Sequence, residues 1–240
     1  MDEETQKLKE ILEAFSKGAT QIVSDPKTIK QLQERGVPIE SRFITYEKYV
    51  EDLFAKKREG AVALLRKLPK IDASIADGVI ESMYEEIRSS YALSIFTSTI
   101  INSILLLEYA MRARLYKEKL KKNPTADWSK LEDLTMGALI WQLFNQKIIT
   151  EEEKAKLMSF NKQLRNPYLH INIHKLSKGV FISKLPSINV KTQEVIELEN
   201  VEASKHKYLW FAAKKFFDKY HVQSVIDFCV DWTNKLLANP

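Results

Sequence analysis

Apolar residues recur along this chain mostly three and four positions apart, the spacing of one face of a helix. Near the start Leu8, Ile11, Leu12, Phe15 and Ala19 trace one such stripe; Tyr46, Tyr49, Val50, Leu53 and Phe54 trace another. Asp25-Pro26 and Gly36-Val37-Pro38 separate them as breaks, because proline fixes φ and lacks the amide hydrogen a helix interior uses. Leu68-Pro69-Lys70 ends a further short element, and the sequence beyond it is more apolar. This pattern predicts an N-terminal helical extension over residues 1–70 and a main helical domain over 71–240.

No Gly or Pro interrupts the stretch from Ser89 to about Lys122. Leu93, Phe96, Thr97, Ile100, Ile101, Ile104, Leu107, Met111 and Leu115 fall on one broad face there, predicting a single long helix. Residues 92–111 approach membrane-spanning length. They also carry Ser94, Thr97, Ser98, Thr99, Asn102, Ser103 and Glu108, so a central helix buried among others is expected and no membrane association. Asn123-Pro124 ends this helix. Leu131, Leu134, Leu139, Ile140, Leu143 and Phe144 predict one or two short helices. Thr150 with Glu153 reads as a capping box opening a helix whose apolar face is Leu157, Phe160 and Leu164. Pro167 is expected to weaken or end that helix.

After His174 the pattern changes. Val180-Phe181-Ile182 and Val195-Ile196-Glu197-Leu198 predict a small β-hairpin or extended insert near 178–200. Helical spacing then resumes with Tyr208, Leu209, Ala212, Phe216 and Phe217 and continues toward Leu237. Trp141, Trp210 and Trp232 have apolar neighbours and read as core. The expected fold class is all-α.

Composition narrows the reading further. Only 6 Gly and 7 Pro in 240 residues argue against a turn-rich β-sandwich. The single cysteine, Cys229, excludes an internal disulfide framework and suits a reducing compartment. The acidic start Met1-Asp2-Glu3-Glu4 has no apolar run behind it and does not read as a signal peptide, so a cytoplasmic location is expected. A net charge of +5 favours polyanions such as RNA. The lysines are mostly interleaved with glutamates, however, and a solvated lysine-rich exterior is the simpler account of the charge.

The candidate chemistry sits in Leu164-Arg165-Asn166-Pro167-Tyr168-Leu169-His170. Arginine supplies a permanent forked cation that fits phosphate oxygens, and histidine supplies a base that titrates near neutrality. The chain has no Gly-rich phosphate loop, no Gly-x-Ser-x-Gly elbow and no His-Glu-x-x-His. His170 and His174, four apart, would share a face of an unbroken helix and seat a metal. Pro167 and the lack of a nearby acidic third ligand argue against that, so neither metal nor cofactor is expected.

The same segment resembles the Arg-polar-x-x-x-His signature of the HEPN (higher eukaryotes and prokaryotes nucleotide-binding) family. Its approach is also similar: Leu131-Glu132-Asp133-Leu134, Leu139-Ile140, Lys147-Ile148-Ile149-Thr150-Glu151, Leu157 and Leu164 resemble the two helices before the signature. Leu107-Glu108-Tyr109-Ala110-Met111-Arg112 looks like the central helix, which often carries an acidic residue. The likeness spans about residues 75–235, and about 40 of these are specific. Residues 1–70 and the insert after His174 depart from it.

The resemblance implies a helical bundle that dimerises with its two signatures facing each other, and many active members of the family are metal-independent RNases. The implied substrate is RNA, cleaved through its own 2′-hydroxyl, in a defence or toxin–antitoxin setting with a cognate antitoxin or regulatory protein as partner. Arg165 would clamp the phosphate, His170 would act as base or acid, Asn166 would orient either one, and Glu108 would support them. Tyr168, His174 and Lys175 are candidate RNA contacts.

Each assignment has a plainer alternative. Arg165 pairs with a carboxylate on a neighbouring helix, such as Glu108; His170 is a structural histidine; Tyr168 packs in the core and His174 sits on the surface. In a straight helix Arg165 and His170 point about 140° apart, so they converge only if Pro167 distorts the helix or two protomers share the site. Asn166 and His170 share a face more readily. The alternative function is a non-catalytic module of the same type that binds a nucleotide, RNA or a protein. A third is a helical scaffold.

Overall fold

The computed structural model describes residues 22–23, 25–34, 43–170, 172–188 and 195–238; the stripe from Leu8 to Ala19 lies outside them. The chain forms two compact units, Met1–Gly60 and Ala61–Pro240. In the first, β1 (Ile22–Val23) pairs in parallel with β2 (Phe43–Ile44). Helix α1 (Pro26–Glu34) starts behind Asp25, whose carboxylate accepts the Thr28 amide at 2.9 Å. Helix α2 (Tyr46–Leu65) carries the stripe from Tyr46 to Phe54, and those side chains are exposed.

In the second unit the single helix expected from Ser89 to Lys122 is instead two, α3 (Gly78–Ala92) and α4 (Phe96–Lys122). No glycine or proline marks the break. Ser94 takes the left-handed conformation at φ 54°, the Ile95 amide donates to the Ser90 carbonyl at 2.8 Å, and the Ser94 amide donates to Tyr91 at 2.9 Å. This is a Schellman closure with serine in the place glycine usually takes. Asp77 caps the start of α3 through the amides of Val79 and Ile80.

The chain then forms α5 (Ser129–Glu132), α6 (Met136–Asn145) and α7 (Glu151–Phe160), and a π-helical turn over Asn161–Arg165. Two short helices follow, α8 (Asn166–Leu169) and α9 (Ile173–Leu176). The predicted hairpin is present as antiparallel β3 (Phe181–Ile188) and β4 (Val195–Glu202), and α10 (Trp210–Ala238) closes the fold.

Helix α4 is the axis of the core, packed against α10, α3 and α6. Ile100, Ile104, Leu107 and Met111 meet Val222, Ile226, Cys229 and Val230 in one buried cluster. Each such side chain contributes about 1.5–3 kcal/mol by leaving water. The hairpin has its own small cluster, in which Val180, Ile182, Leu198 and Val201 cover Leu209 and Ala213. The architecture is therefore all-α with one small hairpin. No helix among the described residues is long and apolar enough to cross a membrane.

Two of the three tryptophans read as core are placed otherwise. Trp232 is buried, Trp210 is half-buried, and Trp141 is 48% exposed. The Lys154 ammonium lies 4.3 Å from the Trp141 ring centroid, a cation–π contact that lets a large ring stay at the surface.

Candidate functional site

The segment that carries Arg165 and His170 is held at its entrance by the expected capping box. Thr150 Oγ1 accepts the Glu153 amide, and the Glu153 carboxylate accepts the Thr150 amide at 2.7 Å. Lys235 at the end of α10 also donates to Glu153, tying α7 to the last helix. These partners, the Lys235 ammonium first, hold the Glu153 carboxyl below the usual carboxylate range.

Pro167 weakens the helix, one of the two expected outcomes, without ending it at that residue. The chain stays helical through Leu169 because the preceding turn widens: the Asn166 amide reaches back five residues, to Asn161. A regular α-helix would press the proline ring against the carbonyl of Gln163, four residues earlier, and the wider π turn relieves that clash. Asn161, the first residue of this turn, is buried, and its Oδ1 has no hydrogen-bond partner among the described residues.

The π turn delivers Arg165 to Glu108 on α4. Arg165 Nε donates to Glu108 Oε1 at 2.8 Å, and Arg165 Nη1 donates to Asn166 Oδ1 at 3.1 Å. The carboxylate is nearly buried, with 5% of its side chain exposed against 16% for Arg165. Its other oxygen faces Arg112 Nη2 at 3.3 Å. Arg112 also donates to the carbonyls of Leu131 and Leu134, at 3.2 and 3.1 Å, so it fastens α5 to α4. One carboxylate thus stands between two guanidinium groups, leaving one positive charge in excess. Arg165 Nη2 has no hydrogen-bond partner among the described residues.

The remaining candidates are not all gathered here. His170 caps α8, with its amide on the Asn166 carbonyl at 3.0 Å, and is exposed. Its ring has no hydrogen-bond partner among the described residues. Because Asn166–Leu169 stays helical, Arg165 and His170 keep their wide angular separation, and Pro167 does not fold the pair together. Asn166 is engaged with Arg165. His174 and Lys175 are exposed on α9, where the His174 ring meets Trp210 edge-on at 6.1 Å.

Tyr168 as an RNA contact is corrected: it is only 4% exposed and has no free face for a base. Its hydroxyl donates to buried Asp218, which also accepts from Thr97 and, at 2.6 Å, from Lys214. The Lys214 ammonium lies 4.9 Å from the Tyr168 ring centroid. Burial, then the hydrogen bond to Asp218, raise the Tyr168 hydroxyl well above its usual range.

Sequence reasoning had no signal for this Thr97–Tyr168–Lys214–Asp218 network, whose members come from α4, α8 and α10. It also missed the bridging role of Arg112, although that residue lies one helical turn after Glu108 and the spacing permits the ion pair.

Beside the signature an open cleft of about 530 Å³ runs between the π turn and α10, lined in part by Phe160, Leu164, Phe217, His221 and Phe228. Phe160 and Phe228 stack at 4.4 Å. Burial pushes the His221 imidazole below its usual pKa. Among the described residues no group of three or more His, Cys, Asp or Glu side chains is placed to hold a metal ion. No family model, no curated protein and no solved structure matches this chain.

Proposed function

We propose that this protein is a metal-independent endoribonuclease of HEPN type that works as a homodimer on RNA. The observation that carries the reading is the Arg165 guanidinium: Glu108 and Asn166 fix it from one side, its Nη2 is left for a ligand, and the exposed His170 follows at the end of the next helical turn. The excess positive charge around Glu108 favours an anion at this position.

In this mechanism the 2′-hydroxyl attacks the adjacent phosphate. His170 of one protomer takes its proton, and Arg165 balances the charge that builds on the phosphorane. His170 of the second copy, carrying a proton, gives it to the leaving 5′-oxygen as the P–O5′ bond breaks. One chain offers a single well-placed histidine, and Arg165 and His170 diverge within it, so both facts favour a site shared by two copies. The apolar cleft next to Leu164 is a suitable self-association surface. A defence or toxin–antitoxin role in the cytoplasm, with a cognate antitoxin or regulatory protein, belongs to the same proposal.

One observation favours the second reading, a non-catalytic RNA-, nucleotide- or protein-binding module: the strongest contact of Arg165 is its nearly buried ion pair with Glu108, and that pair stabilises the fold without any chemistry. Substitution separates the two. Arg165→Ala and His170→Ala should each lower RNA cleavage by about a hundredfold or more, the usual scale for a lost acid–base or charge-stabilising group. Purified variants that cut as fast as the parent protein would leave only the binding reading.

A further inference from the structure

At the C-terminal end of α4 the chain turns through Asn123–Asp127 into α5 and encloses a cleft of about 290 Å³. Lys119, Lys122 and Lys130 line it, with Asp127 as the only acid among its lining residues. None of the three lysines makes a salt bridge among the described residues. The acids nearby have other partners. Glu118 is bound by Arg114 and Lys121, both at 3.1 Å. Asp127 accepts the amide of Ser129 at 2.9 Å and its hydroxyl at 2.6 Å, and these bonds hold its carboxyl below the usual range. The cleft therefore carries two positive charges in excess. The α4 carbonyls attract some of that charge, as helix ends do, and Glu118 and Asp127 feel the charges of Lys122 and Lys130, but no carboxylate forms a salt bridge with any of the three lysines among the described residues.

Helix geometry relates this cleft to Arg165. Eleven residues separate Glu108 from Lys119 and fourteen separate it from Lys122, so both lysines lie within about 40° of Glu108 around α4 and about 16–21 Å along its axis. Arg112 ties α5, which carries Lys130, to the same side through the Leu131 carbonyl.

We infer that the cleft of Lys119, Lys122 and Lys130 is a second anchoring site that binds the phosphodiester backbone of single-stranded RNA several nucleotides from the phosphate held at Arg165. This rests on the ribonuclease reading above. The spacing matches about five or six stacked nucleotides at about 3.4 Å each. The concave shape suits a strand better than a lipid surface.

The test is the salt dependence of binding, read by fluorescence anisotropy with a labelled oligouridylate. The protein carries His170→Ala so that it does not cut. Adding Lys119→Gln, Lys122→Gln and Lys130→Gln should reduce the slope of log K against log salt by about two, because each single-strand phosphate contact contributes about 0.7. Affinity at low salt should fall about tenfold or more, with unchanged melting. A control triple variant at Lys207, Lys215 and Lys219, exposed elsewhere, should change neither.

Lys130→Gln alone, which lies outside α4, should remove about a third of the effect and guards against damage to the helix end. An unchanged slope overturns the inference, and if the unsubstituted protein still cuts RNA, the ribonuclease reading survives. Loss of slope in a protein that never cuts RNA supports the anchoring site and rejects the ribonuclease reading. Binding to phosphatidylserine vesicles without affinity for RNA also overturns the inference.

Discussion

At the scale of single residues, the Arg165–Glu108 pair was legible in the sequence, while the burial of the large aromatic residues was legible only in part. Tyr168 was named as an RNA contact with core packing as its plainer alternative, and the core is where it lies; nothing in the sequence pointed to Asp218, fifty residues on and on another helix. Glu108 was legible as a partner for Arg165 because a buried guanidinium needs an anion and the central helix carries few. Trp141 was misread because periodicity cannot foresee that Lys154 would shelter its ring at the surface. The Tyr168 network gives a sharp prediction. Tyr168→Phe removes one donor from buried Asp218 and should cost about 1–3 kcal/mol in stability, read by denaturant titration. RNA affinity should stay within about twofold, because the ring has no accessible face for a base. A large loss of RNA binding in a protein of unchanged stability would restore Tyr168 as a contact.

At the scale of elements, ends marked by a fixed residue pattern were legible, the Thr150–Glu153 start and the Asn123-Pro124 stop among them. The Thr150–Glu153 box has a fixed spacing and a fixed hydrogen-bond pattern, so the sequence announces it. The stop of α3 uses a left-handed serine, Ser94, and that of α6 a left-handed lysine, Lys147 at φ 59°, so neither carries the glycine that usually marks such a turn. Pro167 was legible as a weak point of its helix, and a π turn absorbs it. Glu153 ties the cap of α7 to α10 and offers a pH test. Its folded-state carboxyl titrates below its unfolded value, so its contribution is present above about pH 4.3 and is lost as pH falls through the lower folded value. Glu153→Gln should therefore lower stability by about 1 kcal/mol at neutral pH, with the gap to the parent protein closing in acid. A gap that stays constant from neutral to strongly acidic pH would show that the charge of Glu153 plays no part.

At the scale of the whole molecule, the all-α class and the hairpin insert followed from pattern alone. The place of Arg112 between Glu108 and α5 did not, because it depends on how α5 packs on α4. Since Arg165 and His170 diverge along α8, the proposed chemistry requires two copies. The protein should run as a dimer at micromolar concentration, and its specific activity should fall on dilution in step with dimer dissociation, followed by mass in solution. A monomer that keeps full specific activity would require a complete site in each chain and end the shared-site account.

The most direct measurement is the chemistry of the product ends. Purified protein is incubated with RNA and with DNA of the same sequence in excess EDTA, and the fragments are weighed by mass spectrometry. The ribonuclease account predicts RNA fragments ending in 2′,3′-cyclic phosphate, intact DNA, and no fragments from the His170→Ala protein. Cleaved DNA, RNA ends without the cyclic phosphate, or cutting that stops on chelation would contradict it.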